Sequence, residues 1–260
     1  MKLKPALLLG IPLLSAALFL SAPAHAASGG ARPGAGTPPG NKIWNGYVYL
    51  TTKNGKPTSK VNFVRAWWIQ PPAACSFPSV PTDGIWVGLG GLGIGGNSSP
   101  LLVQAGTLTR CTVGGGTLFN AVWEIIPPGG KSSAVYVSSS KYPIAAGDQM
   151  FAAVSDMGGG RYSLIVQDEG PVSDWEWSKT VSLKWKTEPY SAEWIVESGS
   201  NFGLANFGSV VFTNCAYNQN LTTLTKAVKF EADTPPQAAV SAIHVAPGPD
   251  SSFVVTWRHS

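Results

Sequence analysis

The sequence predicts an all-β protein, an antiparallel β-sandwich of two packed sheets, and three observations carry that prediction. Short runs rich in Val, Ile, Trp, Tyr and Phe alternate with polar residues in period two, the pattern of strands with one face buried. Turn signals fall between the runs, among them Asn54-Gly55, Pro128-Gly129-Gly130, Ala146-Gly147-Asp148 and Gly158-Gly159-Gly160. Glycine (30) and proline (21) are abundant while charged residues make up only 12%, which suits many strands joined by tight turns. No amphipathic helix of ordinary length and no repeat of fixed period is visible.

Taken in order, the chain opens with a leader. Lys2 and Lys4 precede the apolar run Ala6–Leu20, and Ala24-His25-Ala26 supplies a small-x-small cleavage pattern. This predicts a secretory signal peptide over 1–26 and an extracellular protein. The run is short for a membrane span, and no later run approaches that length. Residues 27–42 are Gly, Pro, Ala and Ser with few bulky side chains, as in a flexible linker or a short pro-segment. The stretch 43–260, roughly 220 residues, is long enough for one sizeable β domain.

Alternation and turn signals then predict strands at Trp44–Thr51, Asn62–Gln70, Gly84–Leu89, Pro100–Gly106, Phe119–Ile126 and Ala134–Val137. Further strands follow at Gln149–Asp156, Arg161–Asp168, Lys179–Lys186, Ala192–Glu197, Ser209–Thr213 and Ser252–Trp257. Asn97-Ser98-Ser99 and Asn220-Leu221-Thr222 are glycosylation acceptors where the source glycosylates.

Composition removes several function classes. The 18 basic residues include Lys2 and Lys4 of the leader, so 16 face 14 acids in the exported form, a net +2. With no basic run, nucleic acid is not an expected partner. Cys75, Cys111 and Cys215 allow one intrachain bridge, expected between Cys75 and Cys111 on either side of the Trp86–Gly106 region, with Cys215 a buried thiol. Ligands at zinc spacing are absent, and neither a metal nor another cofactor is expected. Beyond the leader only His244 and His259 remain. His259 is penultimate, and His244 lies among small and apolar residues as a strand residue would, so a Ser-His or Cys-His device is improbable.

Carboxylates and amides are left to do chemistry. In Ser191–Ser198, Glu193, Ile195 and Glu197 share one face of a strand and Ala192, Trp194 and Val196 the other. The two acids lie about 13 Å apart, too far to share a proton. Gln104 stands alone among aliphatics in Leu101–Gly106, and Asn120, Val122 and Glu124 share a face of Phe119–Ile126. Three apolar strands each presenting a Gln or Glu point to a common site, since such groups need partners when buried.

Seven segments in order sharpen this: Trp44–Val48, Trp86–Gly91, Leu102–Gly106, Trp123–Pro127, Ala146–Asp148, Ala192–Glu197 and Phe207–Val210. In sequence and spacing the set resembles the glutamic peptidases (eqolisins), over most of Trp44–Cys215. The resemblance implies a secreted sandwich of the concanavalin A/jelly-roll type that hydrolyses peptide bonds with a Gln–Glu dyad at acid pH. Carried over, the dyad falls on Gln104, with Ala105 in place of a family Thr, and on Glu197 rather than Glu193. Glu124 matches an acid lining the cleft, with Ile125 in place of a Trp; Trp44 and Trp86 match cleft tryptophans. Gly90 stands where the family often has Asp.

The implied mechanism needs no metal and no covalent intermediate, and it makes polypeptides the substrate of a monomer, without membrane partner once the leader is gone. Two other readings of the same residues stand beside it. Glu124 and Glu197 could serve a β-sandwich glycoside hydrolase. The tryptophans could serve a carbohydrate-binding module without catalysis. Gln104 separates them, because only the water-positioning mechanism requires it.

Overall fold

The computed structural model describes residues 43–53, 56–75, 81–92, 101–128, 134–171, 173–186, 188–199, 203–218, 224–232, 238–245 and 251–258, all within one compact unit. The leader, the linker, both glycosylation acceptors and the Asn54-Gly55 turn lie outside them. The first strands are β1 (Trp44–Leu50), β2 (Thr52–Lys53), β3 (Lys56–Pro57), β4 (Phe63–Ile69), β5 (Thr82–Gly90) and β6 (Leu102–Cys111). Next come β7 (Thr117–Ile126), β8 (Val135–Tyr136), β9 (Gln149–Gly158), β10 (Arg161–Glu169), β11 (Asp174–Ser182) and β12 (Ser191–Ser198). The last are β13 (Ser209–Tyr217), β14 (Val228–Phe230), β15 (Ala238–Val240), β16 (His244–Val245) and β17 (Ser251–Trp257).

Two antiparallel sheets form. One runs β14-β1-β12-β5-β6-β7-β8 and the other β11-β10-β9-β4-β13-β17-β15, with β16 added on β17; β2 and β3 make a small hairpin. The sandwich is as the alternation predicts. One strand is displaced: the expected Lys179–Lys186 is Asp174–Ser182, because Trp175, Trp177 and Val181 alternate with polar residues on a half-exposed edge. The short strands β2, β3, β14 and β15 were not expected, since two or three residues are too few for a periodic pattern; β16 holds His244, read as a strand residue.

The inward faces meet in a continuous core. From the first sheet come Tyr47, Ile85, Val87, Leu89, Val103, Trp194 and Val196, and from the second Ala66, Trp68, Met150, Val154, Leu164 and Phe212. Each large side chain fully buried here contributes roughly 1.5–3 kcal/mol. Polar ties pin the sheets together: Trp194 Nε1 donates to the Arg65 carbonyl at 2.8 Å. Thr107 Oγ1 donates to Gln70 Oε1 at 2.8 Å, and Gln70 Nε2 to Thr109 Oγ1 at 3.2 Å. A disulfide joins Cys75 to Cys111, the expected pair, while Cys215 is free and buried in β13. His244 lies in β16 and pairs with Ser252.

With alternate residues of each strand committed to the core, the first sheet turns Glu193, Ile195, Glu197, Trp86, Gln104 and Glu124 to its outer face. A second, smaller apolar cluster of Val48, Trp86, Leu102, Ile195 and Phe230 builds up there. That face carries the site.

Candidate active site

Register decides which side chains meet. Residues directly opposite on antiparallel strands point to the same face with Cβ atoms about 5 Å apart. Gln104 is opposite Glu124 on β7 and opposite Gly88 on β5. Glu197 is opposite Trp44 on β1 and Gly84 on β5. Between these rows Trp86 faces Ile195 on one side and Gly106 on the other. Gln104 and Glu197 thus stand diagonally across a floor that Gly84 and Gly106 leave without side chains.

That floor is a requirement of close packing. A Cβ on Gly106 would lie 2.1 Å from the Ile85 carbonyl oxygen and 2.7 Å from Trp86 Cα. The result is a cleft of about 380 Å³ lined by Trp86, Gln104, Glu124 and Glu197, with Leu108 and Tyr136 further along. The structure therefore brings four of the expected site residues into one cavity. Trp44 is placed behind them, edge-on to Trp86 at 5.2 Å and 79°. Trp123, Tyr136 and the two floor glycines also line the cleft and escaped the sequence reading. A Gly inside an apolar strand is the signal that could have pointed to Gly84 and Gly106.

The polar atoms are arranged in two pairs. Trp86 Nε1 donates to Glu197 Oε2 at 2.9 Å, and Gln104 Nε2 donates to Glu124 Oε2 at 2.9 Å. With its amide nitrogen so held, Gln104 leaves Oε1 buried and without a hydrogen-bond partner among the described residues. An acceptor in that state is suited to a water that the cleft admits.

Burial pushes the Glu197 carboxyl up to about 7; hydrogen bonds from Trp86 and Trp44 pull it down, and the negative charge of Glu124 adds to the rise. A carboxyl poised near neutrality in a cleft is the usual property of a proton-transfer residue. Glu193 differs. It is fully buried, outside the cleft, and neither carboxyl oxygen has a partner among the described residues. Burial holds its pKa well above the usual carboxylate range, and the nearby Ser191 hydroxyl offsets part of that. It is a buried acid of the outer face, opposite Val48 on β1. Gly90, with φ at +87°, would place a Cβ 2.0 Å from the Leu101 carbonyl oxygen, so no side chain fits there. Among the described residues no three His, Cys, Asp or Glu side chains are grouped to hold a metal ion.

Comparison with known proteins defines the class as a peptidase of the glutamic type. The chain belongs to the Peptidase A4 family, whose model matches residues 42–248. It is a peptidase, which decides between the three readings left open by the residues alone. Among solved structures it is similar to scytalido-glutamic peptidase bound to a transition-state analogue inhibitor, at 18% identity and a TM-score of 0.59, covering 84% of this chain and 98% of that one. It is also similar to SCP-B, a member of the eqolisin family in complex with the tripeptide Ala-Ile-His, at 18% identity and a TM-score of 0.57 with the same coverage. At that identity the likeness speaks for the fold. No curated protein matches the chain significantly in sequence.

Proposed function

We propose that this chain is an exported endopeptidase in which Glu197 and Gln104 activate water against a peptide bond. The carrying observation is the cleft itself, where a Trp86-held Glu197 and the unpartnered Gln104 Oε1 face the same space. Gln104 Oε1 accepts one hydrogen of the water. As the water oxygen attacks the scissile carbonyl carbon, Glu197 takes its other proton. The free N–H of the Gln104 amide is a donor for the developing oxyanion, and Glu124 fixes the rotamer that presents it. Glu197 then gives its proton to the amine nitrogen as the C–N bond breaks. Atoms and charge balance with no covalent intermediate.

The working range is mildly acidic. Glu197 must be ionised to accept a proton, which favours approach to pH 7, whereas the buried acids, their pKa values raised by burial, favour the folded state at lower pH. Polypeptides are the substrate class, in keeping with the tripeptide bound by the structurally similar SCP-B.

The test is an assay on a denatured protein across pH 3–8, with and without a chelator and a serine-directed reagent. Cleavage insensitive to both and lost in Glu197→Gln supports the dyad. Activity that vanishes on chelation and returns with added metal overturns it. Export is tested by recovering protein beginning at Ala27 from the culture medium.

A further inference from the structure

Leu108, Thr82 and Tyr136 carry the cleft beyond Gly106, and the next residue outward on that face of β6, opposite Thr82, is Arg110. Gln104, Gly106, Leu108 and Arg110 share the cleft face of β6, so Arg110 lies about 13 Å from the Gly106 floor, the length of some four residues of extended peptide. Its guanidinium sits over the ring of Tyr136, a cleft-lining residue, with 4.8 Å to the centroid. One terminal nitrogen donates to Asn120 Oδ1 at a long 3.4 Å, and Nε is buried with no partner among the described residues. Arg110 also forms no ion pair among the described residues, whose salt bridges all involve Lys60 or Lys229.

The sequence around it offers no acid. Its strand neighbours are Thr82 and Leu118, and the segments that precede β5 and β8 in sequence, 76–80 and 129–133, read Ser-Phe-Pro-Ser-Val and Gly-Gly-Lys-Ser-Ser. Asp83, next along β5, faces the core and accepts from the Ala205 amide. An arginine held by an aromatic face and an amide keeps its planar fork free for a carboxylate. Leu118 and Tyr136, each about half exposed, would flank the stem of such a group.

We propose that Arg110, with Asn120 and Tyr136, forms a subsite that binds a carboxylate of the substrate, about four residues from the bond cleaved. This rests on the cleft being the peptidase centre. The carboxylate is either an Asp or Glu side chain or the C-terminus of a short peptide. Glu124 lies opposite Gln104, on the other side of Gly106 from Arg110, so the subsite gives the bound peptide a direction as well as a preference.

The experiment uses internally quenched peptides of one sequence, with Glu or Gln placed in turn at each of four positions on either side of the scissile bond. A second set compares a C-terminal acid with its amide. Wild type, Arg110→Met and Arg110→Lys are compared by kcat/KM, with melting temperatures confirming the fold. At pH 6 a Glu/Gln or acid/amide ratio of at least about tenfold is expected at one position, the size of a charge-assisted pair. The set showing it identifies the source. The ratio should fall towards one in Arg110→Met, be partly kept in Arg110→Lys, and shrink in wild type below pH 4 as the substrate carboxyl protonates. Equal rates at every position, or a ratio unchanged in Arg110→Met, overturns the subsite while leaving the peptidase centre standing. Failure to cleave any peptide overturns both.

Discussion

Trp86 Nε1 reaches along its strand to donate to Glu197 Oε2 at 2.9 Å, although Trp86 lies opposite Ile195 and not opposite Glu197. The indole therefore spans the glycine floor and stabilises the ionised carboxyl where water alone would otherwise solvate it. Removing that donor should leave Glu197 harder to ionise. Trp86→Phe is expected to move the acid limb of kcat/KM from near pH 7 to higher pH and to lower activity at pH 6 by about tenfold or more. A pH–rate profile reads the shift; an unmoved limb would show that the indole serves packing only.

Stability should run the other way with pH. Burial pushes Asp83 up to about 8, with Oδ1 still accepting from the Ala205 amide, and raises Glu193 and Asp168 as well. These acids have folded values above their unfolded ones near 4, so their contribution is complete below pH 4 and is lost as pH rises through each folded value, for Asp83 towards 8. The melting temperature should fall from pH 4 to pH 8, and the double variant Asp83→Asn, Glu193→Gln should flatten the curve. A melting temperature that climbs across this range contradicts the raised values of the buried acids.

The thiols give a sharp count. Cys75 is bridged to Cys111 and Cys215 is buried, its thiol pushed well up by burial and so unreactive. Without reductant, thiol titration should find none in the native protein and one after denaturation. Cys111→Ser should cost about 2–4 kcal/mol, by freeing the loop that follows β4 from the end of β6.

Much of this was legible because period-two alternation states both the element and its faces. Trp194 inward with Glu197 outward, and Gln104 beside Glu124, follow from pattern once the strands pair in register. What pattern does not give is pairing across strands distant in sequence. That Gly84 and Gly106 form a cleft floor, and that Tyr136 comes to lie over Arg110, depends on β5, β6, β7 and β8 lying side by side. Glu193 and Glu197 were likewise inseparable by alternation. Burial separates them: one is sealed in the sheet, the other opens on the cleft. The edge strand Asp174–Ser182 was displaced in the reading because acids interrupt its tryptophans, which pack only partly.

Glu124 offers the last test, because it touches both halves of the site. It accepts from Gln104 Nε2 at 2.9 Å, and its charge contributes to the raised pKa of Glu197, after burial. Glu124→Gln removes the charge while keeping the size. Glu197 should then ionise more readily, so the acid limb of kcat/KM is expected to move to lower pH, opposite to Trp86→Phe. The plateau rate should fall nonetheless, by about tenfold, since a neutral amide holds Gln104 less firmly than a carboxylate does. Glu124→Leu, with no acceptor at all, should lose more of the plateau with the same shift. Gln104→Ala should cost about a hundredfold or more without moving the limb in either direction. Opposite shifts in Glu124→Gln and Trp86→Phe and none in Gln104→Ala assign charge, hydrogen bond and oxyanion donor to separate residues. If Glu124→Gln and Trp86→Phe move the limb the same way, Glu197 is not the group whose ionisation the limb reports.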